Sequence, residues 1–524
     1  MTKTAARLLQ AGVVVAMLVA LPYKIFELDR YFVPKDLILN TVALVAGLML
    51  VIRAKEMKVD LADKLLALFV VWSLASAIFA TNHWLAQRAL GLSIASAMVF
   101  WASRRIGADG AYRSVLIAAA VSTVAVSLTC LAQTYGLQTE YFTLNRAPGG
   151  TLGNRNFIAH IAAIGLPALS YCTVSSKRSF GALLGSVGGA VVGAALVLSR
   201  SRAAWLAVAA SVVFILIPLF ASRKYWPHGQ VGGRLARFLL ALFLGGAISG
   251  VMPNTLNWKS DSPYLDSAKG MVDYSKGSGK GRLAQYENSL KMAMANPIFG
   301  VGPGNWPVRY TKYAPSNDRS LADDGMTANP WPSSDWVAFV SERGFVAAAA
   351  LLGVFVVLFF GAFRRWAEFG DGDVVLVKLV LIGTIVATAV VSAFDVALLL
   401  AAPAFLIWSI VGATSGARRM GDDVMRVGRW WSIASAIATI LLVVSVARSA
   451  TQIVAMSTVG YGTHTKDWAS AAAWDPGSYR INVRAGEIYA NRGKCETARP
   501  YVNRALGLFP NSQKAKRLAR NCGG

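Results

Sequence analysis

The sequence predicts an all-α protein that crosses a membrane about twelve or thirteen times. Three observations carry this reading. Of 524 residues, 55% are hydrophobic and only 15% charged, a balance that soluble domains of this length do not show. Mean hydropathy is +0.48, and apolar runs close to the ~20 residues of a helical span recur along most of the chain. The runs are continuous rather than alternating, which excludes an outer-membrane barrel.

The runs fall near 5–23, 37–52, 65–81, 87–102, 114–136, 156–176, 181–198, 203–221, 238–252, 336–361, 374–394, 397–414 and 431–449. The first follows a basic start, but no small-x-small cleavage pattern comes after it, so it reads as a retained span. Basic clusters at Arg53/Lys55/Lys58/Lys64, Arg104/Arg105/Arg113, Lys177/Arg178, Arg223/Lys224/Arg234/Arg237, Arg364/Arg365 and Arg418/Arg419/Arg426/Arg429 all become cytoplasmic if the N-terminus is. Two places resist that bias. The loop 24–36, with Lys24, Arg30 and Lys35, and the turn 199–202, with Arg200 and Arg202, come out on the far side. The expected organisation is an N-terminal bundle (1–252), an extracytoplasmic loop with an amphipathic helix (253–335), further transmembrane helices (336–449) and an extracytoplasmic helical tail (450–524).

Lys and Arg number 52 against 27 Asp and Glu, a net charge of +25. Positive-inside topology and anionic lipid headgroups account for most of it. No basic, aromatic-interleaved soluble domain is present, so a nucleic-acid partner is not expected. Cys130 and Cys172 lie in apolar runs; Cys495 and Cys522 lie in the polar tail and form a disulfide if that tail is extracytoplasmic. The four histidines are scattered and no Cys/His cluster implies a metal or cofactor.

The tail reads helix, turn, helix, turn, helix, with Ala473, Ala485, Tyr489, Ala498, Ala505 and Pro510 as punctuation. It resembles a single tetratricopeptide unit; a plain helical hairpin is the equal alternative. One such unit buries its own face poorly, so it needs the outer loop, a partner or the Cys495–Cys522 staple.

Four outward stretches draw attention. GGTLGNRNFIAH (149–160) offers glycines and the side chains of Asn154, Arg155 and Asn156, or simply a capped helix start. In LSRSRAAWLAV (198–208), Arg200 and Arg202 diverge by about 200° on an ideal helix, so Arg200 reads as a lipid anchor and Arg202 as functional. In GKGRLAQYENSLKMAMANPIFGVGPGNWPVRY (279–310), Arg282 starts an amphipathic helix with Leu283, Tyr286, Leu290 and Met294 on one face, against the helix dipole. In ANPWPSSDWVAFVSERGFVAAAALLG (328–353), Asp335 and Glu342 lie two helical turns apart and call for cationic partners, which Arg202 or Arg282 supply; otherwise Asp335 sits in a capped first turn. Guanidinium groups gathered on one face suit phosphate oxygens. With no Walker loop and no DxD-like site, a lipid-borne diphosphate is the expected donor rather than a soluble nucleotide.

These four stretches, in this order over roughly 149–350, resemble the O-antigen ligase superfamily of O-antigen ligases, O-antigen polymerases and protein O-oligosaccharyltransferases. The resemblance implies a C-type glycosyltransferase-like fold in a bacterial inner membrane. It implies metal-independent transfer of a glycan from undecaprenyl diphosphate on the periplasmic face to an acceptor glycan, lipid or protein. It maps donor diphosphate binding onto Arg202 and Arg282, with Arg200 as a further candidate. The family's His-Asn pair, whose histidine activates the acceptor, is here Ser333-Ser334, and no histidine occurs between 229 and 463. That departure favours a polymerase or another acceptor over a lipid A-core ligase. The catalytic set expected is Asp335, Arg282 and Arg202, supported by Asn154, Asn156 and Glu342. A lipid-linked glycan transporter, for which Asp395 is the main acid, and a non-catalytic relative are the alternatives.

Overall fold

The structure, a computed structural model, describes residues 2–52, 56–143, 145–226, 229–258, 260, 262–270, 277–318, 320–322, 326–364, 372–417, 423–426, 429–460 and 465–522. The basic residues Arg53, Lys55, Arg365, Arg418 and Arg419 lie outside them.

Each of the thirteen apolar runs is a helix. In chain order these are α1 (Thr2–Leu18), α2 (Asp29–Gly47), α3 (Leu61–Ala77), α4 (His83–Ile106), α5 (Tyr112–Thr134), α6 (Arg155–Val174), α7 (Ser179–Ser199), α8 (Arg202–Ala221) and α9 (Val231–Val251). Short α10 (Pro263–Lys269), α11 (Gly277–Ala295) and α12 (Trp306–Arg309) follow, then α13 (Asp335–Arg364), α14 (Gly372–Phe394), α15 (Ala401–Gly416) and α16 (Arg429–Gly460). The tail is α17 (Thr465–Trp474), α18 (Tyr479–Ala490), α19 (Cys495–Leu508) and α20 (Gln513–Asn521). Among the described residues nine helical stretches are long and apolar enough to cross a bilayer, one of them running α4 and α5 together. α1 and α3, with 17 residues each, and α15, with 16, are shorter. The protein is an all-α polytopic membrane protein, with one two-stranded ribbon, β1 (Glu56–Val59) against β2 (Asp423–Arg426), among the described residues.

Small residues set the closest helix contacts. A side chain at Gly193 or Gly245 would meet the backbone of the opposite helix in the α7–α9 pair, the close approach that membrane interfaces use in place of a hydrophobic drive.

The expected loop 24–36 is helical from Asp29 on, so Arg30 and Lys35, two of the basic residues that defied the charge bias, belong to α2, and the structure gives a reason for them. Arg30 donates to Tyr31 and to the carbonyls of Glu140 (2.7 Å) and Phe142. Lys35, buried, donates to the carbonyls of Val19 and Thr151 (2.9 Å). These cations tie loops together, so their side is set by hydrogen bonding rather than by topology bias.

The tail docks on the same end. Trp468 and Ile481 pack with Phe26 and Val33 in one apolar cluster. Asn82 donates to the Leu508 carbonyl (3.1 Å), and Asn511 donates to Thr311 (2.6 Å). Cys495 and Cys522 are disulfide-bonded. Both remedies expected for a small helical tail, docking on the loop and a covalent staple, are therefore present.

Candidate active site

The site is built where the start of α6, the α7–α8 turn, α11 and the turn after α14 meet. The α6 start is a tight glycine turn. Gly153 has φ 72° and its missing side chain makes room for the Tyr31 ring, while Asn154, nearly buried, caps the helix by accepting from the Asn156 N–H (3.0 Å). Arg155 and Asn156, adjacent on this rigid start, then reach two different neighbours.

Arg155 reaches Trp258. Its guanidinium lies 5.2 Å from the indole centre, and that of Arg200 lies 4.6 Å from it. Arg200 also donates to Ser267 (2.9 Å). Arg155, Arg200 and Trp258, with Gln133, Gln138 and Asn145, line a cavity of about 550 Å³. Arg200 is the one non-glycine residue with positive φ (55°) among those described, which ends α7 and swings the side chain inward. The lipid-anchor reading of Arg200 is thereby corrected: the two arginines do not share a helix, so the helical angle between them does not apply. Burial lowers the Arg200 pKa, only partly offset by Tyr264 and Asp266. A guanidinium in that setting stays charged and gains from an anion. Arg202, in the first turn of α8, donates to the Gly270 carbonyl.

Asn156 reaches Asp395. Its amide donates to Asp395 Oδ2 (3.1 Å), and Asp395 Oδ1 accepts the Val396 N–H (2.9 Å). His160 Nε2 lies 3.8 Å from the same Oδ2, and Arg282 Nη2 lies 4.0 Å from it. Asp395 sits in the turn after α14. His160 and Trp258 were missed by sequence reasoning. His160 sits inside an apolar run and Trp258 in an unpatterned loop, and neither carries a local signal.

α11 differs from expectation at its start: it begins at Gly277, so Arg282 lies in its second turn rather than at its dipole end. Of its apolar face, Leu283, Leu290 and Met294 are exposed, and the buried face is Gln285, Asn288, Ser289 and Met292. Apolar residues outward and polar ones inward is the distribution of a helix at a membrane surface. Tyr286 donates to the carbonyls of Ser333 (2.6 Å) and Ala393 (3.0 Å), and Gln285 accepts the Ser333 N–H (2.7 Å). These bonds seat α11 over the end of α14.

Asp335 does not pair with either arginine. It is fully buried and accepts from Ser392 Oγ (2.7 Å) and from the N–H groups of Ala397 (2.8 Å), Leu398 (2.9 Å) and Leu399 (3.1 Å). Three of these bonds fall on Oδ2 and one on Oδ1, and with the residue fully buried the carboxylate holds the turn before α15 rather than facing open space. Glu342 is likewise enclosed. It accepts from the N–H groups of Gly304 (2.8 Å) and Trp306 (3.2 Å), with Arg343 Nη1 at 3.6 Å. Backbone donors of tight turns lie nearer to both carboxylates than the arginines first assigned to them. The glycine turn 297–306 is thus clasped to the break in α13 at Gly344 (φ 79°), where Phe345 N–H donates to the Pro297 carbonyl (2.9 Å).

Residues 187–352 match the family model described as O-Antigen ligase. The match covers about a third of the chain and makes that segment similar to the O-antigen ligase family. A search of curated proteins found no match. The matched segment contains Arg200, Arg202, Arg282 and the clasp between the glycine turn and α13. Arg155, Asn156, His160 and Asp395 reach it from outside the matched segment. Among the described residues no three His, Cys, Asp or Glu side chains converge as metal ligands, and no metal-holding residues are assigned.

Proposed function

We propose that the protein is an inner-membrane glycosyltransferase that takes a glycan from an undecaprenyl-diphosphate donor on the periplasmic face, where the tail also lies, and extends or transfers a cell-envelope polysaccharide. The observation that carries this is the convergence of Arg155 and Arg200 on Trp258 at the rim of a cavity of about 550 Å³, within the reach of a domain of O-antigen ligase type. The planar guanidinium forks suit diphosphate oxygens, and charge developing on the leaving diphosphate is what such groups stabilise. Arg282, on the seated helix α11, and Arg202, at the N-terminus of α8 where anions are favoured, complete the donor set. The acceptor is a glycan chain in preference to lipid A core, since serines stand where ligases carry histidine. A protein acceptor is the second form of the same chemistry.

The test is genetic and chemical. In a deletion strain complemented with Arg200→Ala or Arg282→Ala, surface glycan is lost and lipid-linked precursor accumulates in the outer leaflet. Precursor trapped in the inner leaflet points to a transporter, and full complementation by both variants points to a scaffold.

A further inference from the structure

We propose that Asp395 is the group that receives the acceptor's proton, and that Arg282 covers it until the donor diphosphate draws the guanidinium away. This rests on the transferase reading above. Of the two acids beside α11, Asp335 is fully buried, whereas the Asp395 side chain is 12% exposed and has capacity to spare. Its Oδ1 is engaged by the Val396 N–H, but Oδ2 accepts one hydrogen bond, from Asn156, and faces Arg282 and His160 at 4.0 and 3.8 Å. Those two distances are longer than a hydrogen bond. Oδ2 can therefore accept one more donor, such as an incoming hydroxyl.

The cover is loose on one side only. Tyr286 and Gln285 fix the body of α11, so the Arg282 side chain is the part that can move. It is 23% exposed and, among the described residues, Asp395 is the carboxylate nearest to it. A diphosphate offers more negative charge and a bidentate geometry, and so competes well for that guanidinium. Donor binding then does two things at once: it places Arg282 on the leaving group and uncovers the base. The order of binding follows, donor before acceptor.

The transfer step balances. The acceptor oxygen bonds to the anomeric carbon as its proton passes to Asp395 Oδ2. The carbon–oxygen bond to the donor phosphate breaks, and its electron pair leaves with undecaprenyl diphosphate. His160 is fully buried, with its Nε2 3.8 Å from Oδ2. It is a positioning residue that holds Oδ2 against rotation.

The experiment uses the full chain in nanodiscs, with undecaprenyl diphosphate as the binding probe and lipid-linked glycan as the transfer substrate. Asp395→Asn is expected to transfer about 100-fold more slowly or worse. It binds undecaprenyl diphosphate about two- to fivefold tighter than wild type, because Arg282 is no longer held by an opposing charge. His160→Gln lowers kcat and leaves the donor KM unchanged. Near-wild-type transfer by Asp395→Asn overturns the proposal, and so does weakened probe binding, which makes Asp395 a structural or donor-site residue. If the wild-type chain itself binds no undecaprenyl diphosphate, the transferase reading fails and takes this inference with it.

Discussion

Asp335 and Asp395 are the same residue type on the same end of the molecule, joined by a hydrogen bond from the Asp335 N–H to the Asp395 carbonyl (3.3 Å). Their carboxylates have opposite situations. Asp335 is enclosed by four donors, three of them consecutive backbone N–H groups. Asp395 holds one backbone bond and one side-chain bond, with two nitrogen groups waiting at longer range. The difference teaches that an acid at a functional site is recognised by what its oxygens still lack. A fully enclosed carboxylate is a piece of scaffold, and a partly exposed one beside a movable guanidinium is a candidate for chemistry.

The largest expected effect breaks the scaffold. Asp335→Ala orphans four buried donors, each costing about 1–3 kcal/mol when left unpaired. The variant is expected to fail to accumulate as folded protein, measured by size-exclusion of the detergent-extracted chain. A well-folded Asp335→Ala that has lost transfer alone would reverse the assignment of the two acids.

Next in size is Gly344→Ala. Gly344 has φ 79° and ψ 174°, and a Cβ there would press on the Ile298 and Pro297 carbonyls. Strain of this kind costs about 1–3 kcal/mol. The clasp that presents Glu342 to the glycine turn opens, so melting temperature and transfer fall together. Unchanged melting with reduced transfer would mean that the clasp serves catalysis directly rather than through the scaffold.

The transmembrane framework was legible because continuous apolarity is a local, additive signal. All thirteen runs became helices, and the stretches around 149–160, 198–208, 279–310 and 328–353 do meet at one end of the bundle. Their partners were not legible. Asn156 meets Asp395 across 239 positions, and nothing near either residue announces the other. Arg200 was misread because a single positive φ removed it from the helix on which its direction had been judged. Lys35 and Arg30 looked like topology errors until the carbonyls they satisfy were in view.

A third aspartate sharpens the comparison with the smallest effect. Asp318, in the loop beyond α12, also has several donors: Tyr310 Oη (2.6 Å), the Ser320 N–H (2.8 Å) and Asn288 Nδ2 (3.2 Å). Burial by itself raises its pKa, but these hydrogen bonds outweigh it and hold the group below the ordinary aspartate value of 3.8. A carboxylate lowered in the folded state contributes stability above its unfolded pKa and loses it as pH falls through the folded one. The window therefore lies below about pH 4. Because the group is half-buried in a loop away from that core, the effect is local: hydrogen-exchange protection of 310–318, corrected for intrinsic rate, should drop in that window while the α13–α14 core stays protected. Asp318→Asn should be less protected at neutral pH and should lose the pH dependence. If wild-type protection is flat from pH 6 to about pH 3, donor count alone does not make an aspartate structural, and the enclosure of Asp335, rather than its four bonds, becomes the property that separates it from Asp395.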